Sequence, residues 1–208
     1  MLRQWWLARR QNDKTTRKGN PMLYTMVDLE TIGNGTDAAI CSIGAVKFDP
    51  DAHPSTDTEF YAHVNLQSAQ DFGGKIDAET VLWWMAQSAQ AMAAITRQDD
   101  VDHIGAALTD FIKFYGDSDG IWAAPATFDI PILESAMRRM QADRYSVVFR
   151  VPWTFRQVHC WSTVRKLLKI PKAPNAEEHH ALADARAQVV AFRQGWHMLK
   201  KASHLLSP

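Results

Sequence analysis

The sequence predicts an α/β protein in which helices flank a mixed sheet, and two features of the 208-residue chain carry this prediction. Three strand-like segments joined by short turns occupy its first part, which is typical of an antiparallel meander. Helical periodicity then alternates with short strand-like segments, which is typical of parallel strand pairing. We find no internal repeat, and the body of the chain is predicted to form one domain.

The strands are predicted from short apolar or alternating runs that end at turn residues. The first is an apolar run that ends in an acid, and the break at Asp49–Asp51 separates the second strand from the third. Because Gly33 and Gly35 flank Asn34, we expect a turn that uses positive φ angles. The predicted strands are Met22–Asp28, Ala38–Phe48, Thr58–Val64 and Gly120–Ala124.

The helices are predicted from a 3.6-residue apolar period and from capping residues. Asp77 has the character of an N-cap for a helix that turns Val81, Trp84 and Met85 toward the core. Further helices are predicted over Val101–Tyr115, Asp129–Met140 with Pro131 in its first turn, Ser162–Leu168 and His179–Leu199. The segment Val151–Trp161 fits neither period.

The composition excludes several classes of protein. Hydrophobic residues make up 46% of the chain and charged residues 22%, which argues against a disordered protein. No apolar run approaches the roughly 20 residues that a transmembrane helix needs, so no membrane partner is expected. The two cysteines, Cys41 and Cys160, lie far apart in the chain and favour a reducing, cytoplasmic location.

The net charge of zero divides into two unlike parts. Residues 1–21 contain six basic residues and one acidic residue, so they carry +5, and residues 22–208 carry −5. We expect residues 1–21 to be a dispensable or poorly ordered extension and residues 22–208 to be the domain. Two alternatives remain for the extension: a basic arm that contacts phosphates, or an amphipathic turn that packs on the domain. It is also compatible with sequence that precedes a true start at Met22 or Met26.

Two carboxylates stand at the end of the first predicted strand. Asp28 and Glu30 are two residues apart, so their side chains point to the same face of the sheet. Two ionised carboxylates this close repel each other, and a bound divalent cation removes the repulsion. Ligands that are all oxygen favour Mg²⁺ or Mn²⁺ over zinc.

Two further acids and a pair of histidines occupy similar positions. Asp129 follows a predicted strand and is either an N-cap or a metal ligand. Asp184 lies among alanines in the last helix, where an unpaired buried acid would be costly, so a ligand role explains it better. His179 and His180 precede Asp184 by five and four residues, which suits either a surface cap or a general base.

These motifs together resemble the DEDDh branch of the ribonuclease-H-like 3′–5′ exonucleases. The match is closest to phage exonuclease A and the related bacterial 3′–5′ exoribonucleases, and it covers residues 22–196. The residues that carry it are Asp28-Leu29-Glu30-Thr31, continued through Ile32-Gly33-Asn34-Gly35; Ile76–Trp84; Thr127–Leu133 with Phe128-Asp129; and His179-His180-Ala181-Leu182-Ala183-Asp184.

The resemblance implies a mechanism and a set of functional residues. It implies two Mg²⁺ or Mn²⁺ ions held by Asp28, Glu30, Asp129 and Asp184, and nucleoside 5′-monophosphates as products. Helix geometry favours His180 as the general base, whereas the spacing in the family favours His179, which we choose. The implied partners are single-stranded RNA or DNA 3′ ends or duplex 3′ overhangs, and a homodimer is compatible with the family. The implied substrate contacts are Thr31, Trp83, Phe128 and Arg156, while Trp84 is expected in the core.

The sequence departs from the family in two places. Ala124 and Pro125 stand where relatives have Asn and Gly. The branch also has a basic segment, and Arg156 is the residue of this chain that matches it. Both departures leave the preference between RNA and DNA open. A catalytically weak nucleic-acid-binding module is the main alternative, and a His-Asp metal phosphohydrolase using His103 is a third, disfavoured because the adjacent pair runs Asp102-His103.

Overall fold

The structure is a computed structural model that describes residues 22–96, 101–142, 150–175 and 177–206. The predictions made for residues 1–21 therefore lie outside the described residues. Five strands form one sheet: β1 Tyr24–Thr31, β2 Ile40–Phe48, β3 Thr58–His63, β4 Gly120–Ala123 and β5 Val158–Cys160. Seven α-helices are described: α1 Leu66–Asp71, α2 Ala78–Met85, α3 Ala89–Thr96, α4 Ile104–Tyr115, α5 Ala126–Ala142, α6 Trp161–Leu167 and α7 Ala181–Leu206. Short 3₁₀ turns cover Pro54–Thr56 and Phe155–Gln157.

The sheet is mixed, as the sequence predicts. Its strand order is β3-β2-β1-β4-β5, with β1 at the centre. The β1–β2 and β2–β3 pairs are antiparallel, whereas β4 runs parallel to both β1 and β5. The meander at one side and the parallel strands at the other therefore meet at β1, which ends where the predicted acids lie.

Helices pack on both faces of the sheet because successive β1 residues point to opposite faces. Val27 and Leu29 belong to the core formed with α4 and α5, and Met26 belongs to a second core formed with α6 and α7. Asp28 and Glu30 share the parity of Met26, so their side chains point to the α7 face. No helix in the described ranges is long and apolar enough to cross a membrane.

Several boundaries differ from the sequence-based prediction. Helix α5 begins at Ala126, so Asp129 lies inside its first turn instead of capping it, and Pro131 follows in the second turn. Two helices, α1 and α3, were not predicted. Helix α7 begins two residues later than expected, so His179 and His180 precede it, and it continues to Leu206.

Helix α2 confirms two of the sequence-based expectations and corrects a third. Asp77 is the N-cap of α2, since its side chain accepts a hydrogen bond from the Glu79 N–H, and Trp84 is 3% exposed. Met85 is 66% exposed, so its assignment to the core was wrong. Helix α2 has only eight residues, and Met85 at its last position lies outside the face that packs on the core.

The Gly33–Gly35 segment also differs from the prediction. The described glycines with positive φ are Gly73 and Gly116, so neither Gly33 nor Gly35 uses the left-handed region. A Cβ on Gly33 would instead lie 3.1 Å from the Lys75 carbonyl oxygen. Close packing against a neighbouring loop, and not turn geometry, explains a small residue here.

Candidate active site

Three carboxylates from two distant parts of the chain meet at the end of β1. Oxygen atoms of Asp28, Glu30 and Asp184 all lie within 4.8 Å of one another. Asp28 and Glu30 come from β1, and Asp184 comes from the first turn of α7. This spacing matches the oxygen-rich coordination that Mg²⁺ and Mn²⁺ prefer.

A glycine on the neighbouring strand allows α7 to approach so closely. Gly44 pairs with Asp28 in the β1–β2 ladder, and a Cβ at position 44 would overlap the backbone of Ala181 and Leu182. The first turn of α7 therefore lies directly on β2, opposite Asp28. The sequence shows Gly44 only as a glycine inside a strand, which is a known sign of close backbone approach.

Hydrogen bonds fix the orientation of Asp184. One carboxylate oxygen accepts the backbone N–H of His179 at 3.0 Å, and the other accepts the Asn175 side-chain amide at 3.0 Å. The Asp184 N–H in turn donates to the His180 carbonyl oxygen at 2.9 Å. The loop before α7 and the first helical turn thus form one hydrogen-bonded unit around this carboxylate.

Asp129 reaches the same end of the sheet from α5. Its Oδ1 accepts the Leu29 N–H at 3.1 Å, beyond the point at which β4 stops pairing with β1. The side chain is 3% exposed, and burial raises the pKa of Asp129 to about 7. Its negative charge also raises the pKa values of Asp28 and Glu30, so the four acids form one electrostatic cluster.

This acidic cluster (Asp28, Glu30, Asp129 and Asp184) carries negative charge that no ion pair with a described residue neutralises. Burial, followed by repulsion from the other three acids, raises the pKa of Asp28 well above its usual range. Burial and repulsion from Asp184 and Asp129 raise the pKa of Glu30 to about 8. Among the described residues, no lysine or arginine forms an ion pair with any of the four. At neutral pH the cluster therefore needs protons or a bound cation.

Gln188 lies beside the cluster with half of its amide unused. Its Nε2 donates to Asp28 Oδ1 at 2.7 Å, whereas its Oε1 is buried and has no hydrogen-bond partner among the described residues. A buried carbonyl oxygen without a donor is costly. A water bound to a cation in the cluster would supply that donor, so the surroundings of the carboxylates fit a hydrated metal.

The two histidines differ sharply in their surroundings. His179 has a φ of 65°, and its ring packs edge-on against Trp83 at 5.0 Å and Trp84 at 5.9 Å between centroids. The ring of His180 stacks on Tyr61 at 4.7 Å, and its Nδ1 accepts the Ala183 N–H at 3.4 Å. His180 therefore packs and caps the helix, while His179 lies in the loop at the mouth of the site.

Two cavities flank the acidic cluster and share Glu30 in their walls. The first, the aromatic cavity, has a volume of about 450 Å³ and is lined by Leu29, Glu30, Thr31, Asn34, Glu79, Thr80, Trp83, Trp84 and Phe128. The second, the basic cavity, has a volume of about 690 Å³, and its polar lining includes Asp28, Glu30, Ser162, Arg165, Lys172, Asn175, Glu178, His179, Asp184 and Gln188. A polymer that crosses the carboxylates would have room on both sides.

Three of the four predicted substrate contacts lie at the aromatic cavity. Trp83 and Phe128 supply aromatic surface, and Trp83 is 46% exposed. The Thr31 hydroxyl donates to the Gly33 carbonyl oxygen at 2.7 Å, and the Thr31 carbonyl accepts the Trp84 indole N–H at 2.9 Å. Trp84 thus packs in the core and fixes the backbone beside Glu30.

Arg156 lies away from the other three predicted contacts, and its assignment as a substrate contact stays a prediction. It belongs to the 3₁₀ turn before β5, and β5 runs parallel to β4 and β1. The residues before a parallel strand lie at the opposite edge of the sheet from those that end β1. The guanidinium instead packs on the Phe155 ring at 5.5 Å. The basic residues that do reach the site, Arg165 and Lys172, have no motif to mark them in the sequence.

Comparison with known proteins assigns the chain to a family. The family described as the Rv2179c-like 3′–5′ exoribonuclease domain matches residues 23–196, most of the chain. The chain belongs to this family. Phage T4 exodeoxyribonuclease is also similar, at 26% identity over 133 residues, which are 58% of this chain and 58% of the phage protein. The Rv2179c-like chain thus aligns with little more than half of that relative.

Several solved structures share the fold of this Rv2179c-like domain at low sequence identity. They include the E. coli ExoI–ssDNA complex (12% identity, TM-score 0.53, covering 84% of this chain and 40% of ExoI). Pop2p of S. pombe, in a form bound to Mg²⁺ and Mn²⁺, matches at 12% identity and a TM-score of 0.51, with 90% and 88% coverage. The nuclease domain of 3′hExo, a DEDDh family member bound to rAMP, matches at 10% identity and a TM-score of 0.51, with 88% and 94% coverage. With the family match, they confirm the resemblance to ribonuclease-H-like exonucleases.

Proposed function

We propose that this Rv2179c-like domain is a 3′–5′ exonuclease of the DEDDh type that uses two divalent cations, Mg²⁺ or Mn²⁺. Its substrates would be single-stranded RNA or DNA 3′ ends, including the 3′ overhangs of duplexes, and its products nucleoside 5′-monophosphates. The observation that carries the proposal is the cluster of four carboxylates beside His179, two of them buried and two half-buried, in a member of an exonuclease family.

The acidic cluster supports a role in holding the cations. Asp28, Glu30, Asp129 and Asp184 would hold the two ions. When bound, two such ions neutralise charge on the phosphate and lower the pKa of an attacking water. Asn175 and Gln188 would keep the carboxylates in place through their side-chain amides, as hydrogen-bonded neighbours of metal ligands commonly do.

His179 would accept the proton of the attacking water. The water oxygen would bond to the phosphorus of the terminal phosphodiester while the bond from phosphorus to the upstream 3′ oxygen breaks. That oxygen would take a proton from solvent and leave as a hydroxyl. Imidazole suits proton transfer near neutral pH. The backbone bond from His179 to Asp184 supports this role, because it ties the loop that bears the base to a metal ligand.

The aromatic cavity would bind the terminal nucleoside. Trp83 and Phe128 present the flat apolar surfaces on which a base can stack, and stacking tolerates any base. Thr31 would shape the floor beside Glu30. Because stacking on Trp83 and Phe128 does not distinguish ribose from deoxyribose, both RNA and DNA are proposed as substrates.

Digestion of matched 5′-labelled RNA and DNA strands tests the proposal. We expect wild-type protein to shorten both strands one nucleotide at a time with Mg²⁺ or Mn²⁺, and to stop when a chelator is added. Asp28→Asn should be inactive under the same conditions. Release of labelled 5′ fragments of one or two nucleotides at the outset would contradict the proposed direction.

The same experiment distinguishes the enzyme from a binding module. A catalytically weak nucleic-acid-binding protein would retain both strands in a filter-binding measurement and release no mononucleotide with either metal. That result would reject the proposed activity while leaving the family assignment intact.

A further inference from the structure

The two cavities differ in chemistry in a way that bears on how a strand crosses the site. The aromatic cavity is lined mainly by rings and neutral polar groups, whereas the basic cavity has Arg165 and Lys172 in its wall. If the terminal nucleoside occupies the aromatic cavity, as the proposed function requires, the preceding nucleotide must leave the acidic cluster through the basic cavity. The first charged group of that nucleotide beyond the scissile bond is its 5′ phosphate.

The two cations of the basic cavity form no ion pair with the described residues. This holds for both Arg165 and Lys172 although four acids, Asp28, Glu30, Glu178 and Asp184, line the same cavity. Arg165 is half-buried in α6 and donates from Nη1 to the Ile170 carbonyl oxygen at 3.0 Å. This bond holds the guanidinium at the cavity wall instead of leaving it extended into solvent.

The cations and the acids of the basic cavity come from different elements. Arg165 and Lys172 come from α6 and the loop after it, whereas the carboxylates that line the same cavity come from β1, α7 and the loop before α7. Ser162, whose hydroxyl lies 3.2 Å from Cys160 Sγ, adds a neutral polar group on α6. An arginine and a lysine that line one cavity can both donate charge-assisted hydrogen bonds to a phosphodiester.

We propose that Arg165 and Lys172 form a binding site for the phosphate one nucleotide upstream of the scissile bond. The inference rests on the proposed exonuclease function and names the substrate group that the basic cavity recognises. It assigns the strand a path from the aromatic cavity, over the acidic cluster, to α6.

Two trinucleotides that differ in a single charge test this site. Both have an ordinary phosphodiester at the 3′-terminal linkage, which is the one cut, but one carries a neutral methylphosphonate at the other linkage. We expect wild-type protein to cut the fully charged trinucleotide with a KM about tenfold lower, the effect of one charge-assisted contact. Lys172→Gln and Arg165→Gln should each lower this ratio, because each removes one of the two cations that would contact the phosphate.

Matched variants separate recognition from structure. Lys166→Gln removes the same charge from an exposed position on α6 outside the cavity lining and should leave the tenfold ratio unchanged. Arg165→Lys should retain part of it. A purely structural role for Arg165 would lower kcat for both trinucleotides equally and leave their ratio at the wild-type value, which would overturn its assignment.

The outcomes distinguish failure of the site from failure of the enzyme. Release of mononucleotide with an unchanged ratio in both glutamine variants would overturn the phosphate site and leave the proposed function standing. Tighter binding of the charged trinucleotide by wild type than by Lys172→Gln, without any release, would support the phosphate site and reject the function. Equal binding of both trinucleotides without release would reject both.

Discussion

Helix α7 contributes one residue to each of two clusters of partly buried charged side chains. The two clusters differ in how their charge is balanced. Near the middle of the helix, Arg193 donates to both carboxylate oxygens of Asp57 at 2.8 and 2.7 Å, and these side chains are 12% and 13% exposed. At its start, Asp184 joins three other acids, none of which forms an ion pair with a described lysine or arginine. The charges of the first cluster are paired within the fold, whereas the second becomes favourable only with protons or a bound cation. The difference shows which buried charges stabilise the structure and which are available for chemistry.

The largest contrast comes from removing one acid from each cluster. Asp28→Asn should lower kcat/KM by about 10³-fold or more, because loss of a metal ligand removes several kcal/mol of transition-state stabilisation. Asp28→Asn should also raise the Tm of the metal-free protein, since it relieves repulsion among the carboxylates of the acidic cluster. Asp57→Asn should leave kcat/KM within a few-fold and lower the free energy of unfolding by about 3 kcal/mol, since it leaves Arg193 buried and unpaired. Single-turnover digestion and thermal unfolding of both variants measure these effects; a stabilising Asp57→Asn or a destabilising Asp28→Asn would break the comparison.

The two histidines should separate clearly in activity. His179→Ala should lower kcat by about 10²–10⁴-fold, the usual contribution of a general base. His180→Ala should change kcat only a few-fold and mainly reduce stability, because its ring stacks on Tyr61 and caps α7. Steady-state kinetics over a pH series for both variants checks the assignment, and the reverse ranking would make His180 the base.

Gly44→Ala should move Asp184 away from Asp28 and Glu30 in the proposed metal site. The added Cβ would overlap the backbone at the start of α7, so the helix must shift and carry Asp184 with it. Because a displacement of about 1 Å can cost about 10²-fold in rate, we expect a loss of that order in kcat/KM together with weaker Mn²⁺ binding. Ala45→Gly, on the next residue of β2, provides a control for changes to the strand; equal losses in both variants would contradict the role of the close approach.

The metal-free protein should lose stability as pH rises. Burial raises the pKa of Glu30 to about 8, above its ordinary value, so the folded state binds more protons than the unfolded state between those values. The contribution of Glu30 to stability is therefore greatest below its ordinary pKa and is lost as pH rises through about 8. Asp129, whose pKa is raised to about 7, acts in the same direction. Thermal unfolding in chelator across this range should show a falling Tm, and Mn²⁺ should reduce the slope. A Tm that rises with pH in chelator would contradict the unneutralised cluster.

Arg156→Gln should have the smallest effect. Because this side chain packs on Phe155 at the far edge of the sheet, we expect kcat/KM to stay within about twofold of wild type. Lys172→Gln, which removes a positively charged side chain from the basic cavity, provides the comparison in kcat/KM. A tenfold loss for Arg156→Gln would support its assignment as a substrate contact.

The sequence predicts which residues carry the chemistry of the site better than it predicts which residues position them. The acids and His179 are recognisable because strand ends, residue spacing and the family motifs all point to them. Gly44, Asn175, Gln188 and Lys172 are not recognisable, because each acts through contacts between segments that are distant in the chain. Arg156 illustrates the same limit, since a basic residue near a motif carries no information about which edge of the sheet it reaches.

The fold shows a similar division. Strands and long helices follow from periodicity, and the change from antiparallel to parallel pairing follows from their order. The short helices α1 and α3 and the exposed position of Met85 depend on tertiary packing that a local pattern does not contain.

Titration with Mn²⁺ tests the central claim most directly. Calorimetry on wild-type protein in the presence of a nucleoside 5′-monophosphate should show two bound ions per chain, and the same loaded protein should release mononucleotides from a labelled strand. Asp28→Asn should lose the binding of at least one ion and the release together. Undiminished strand cleavage in chelator, or full Mn²⁺ binding by Asp28→Asn, would contradict the conclusion that the acidic cluster is a metal-dependent catalytic site.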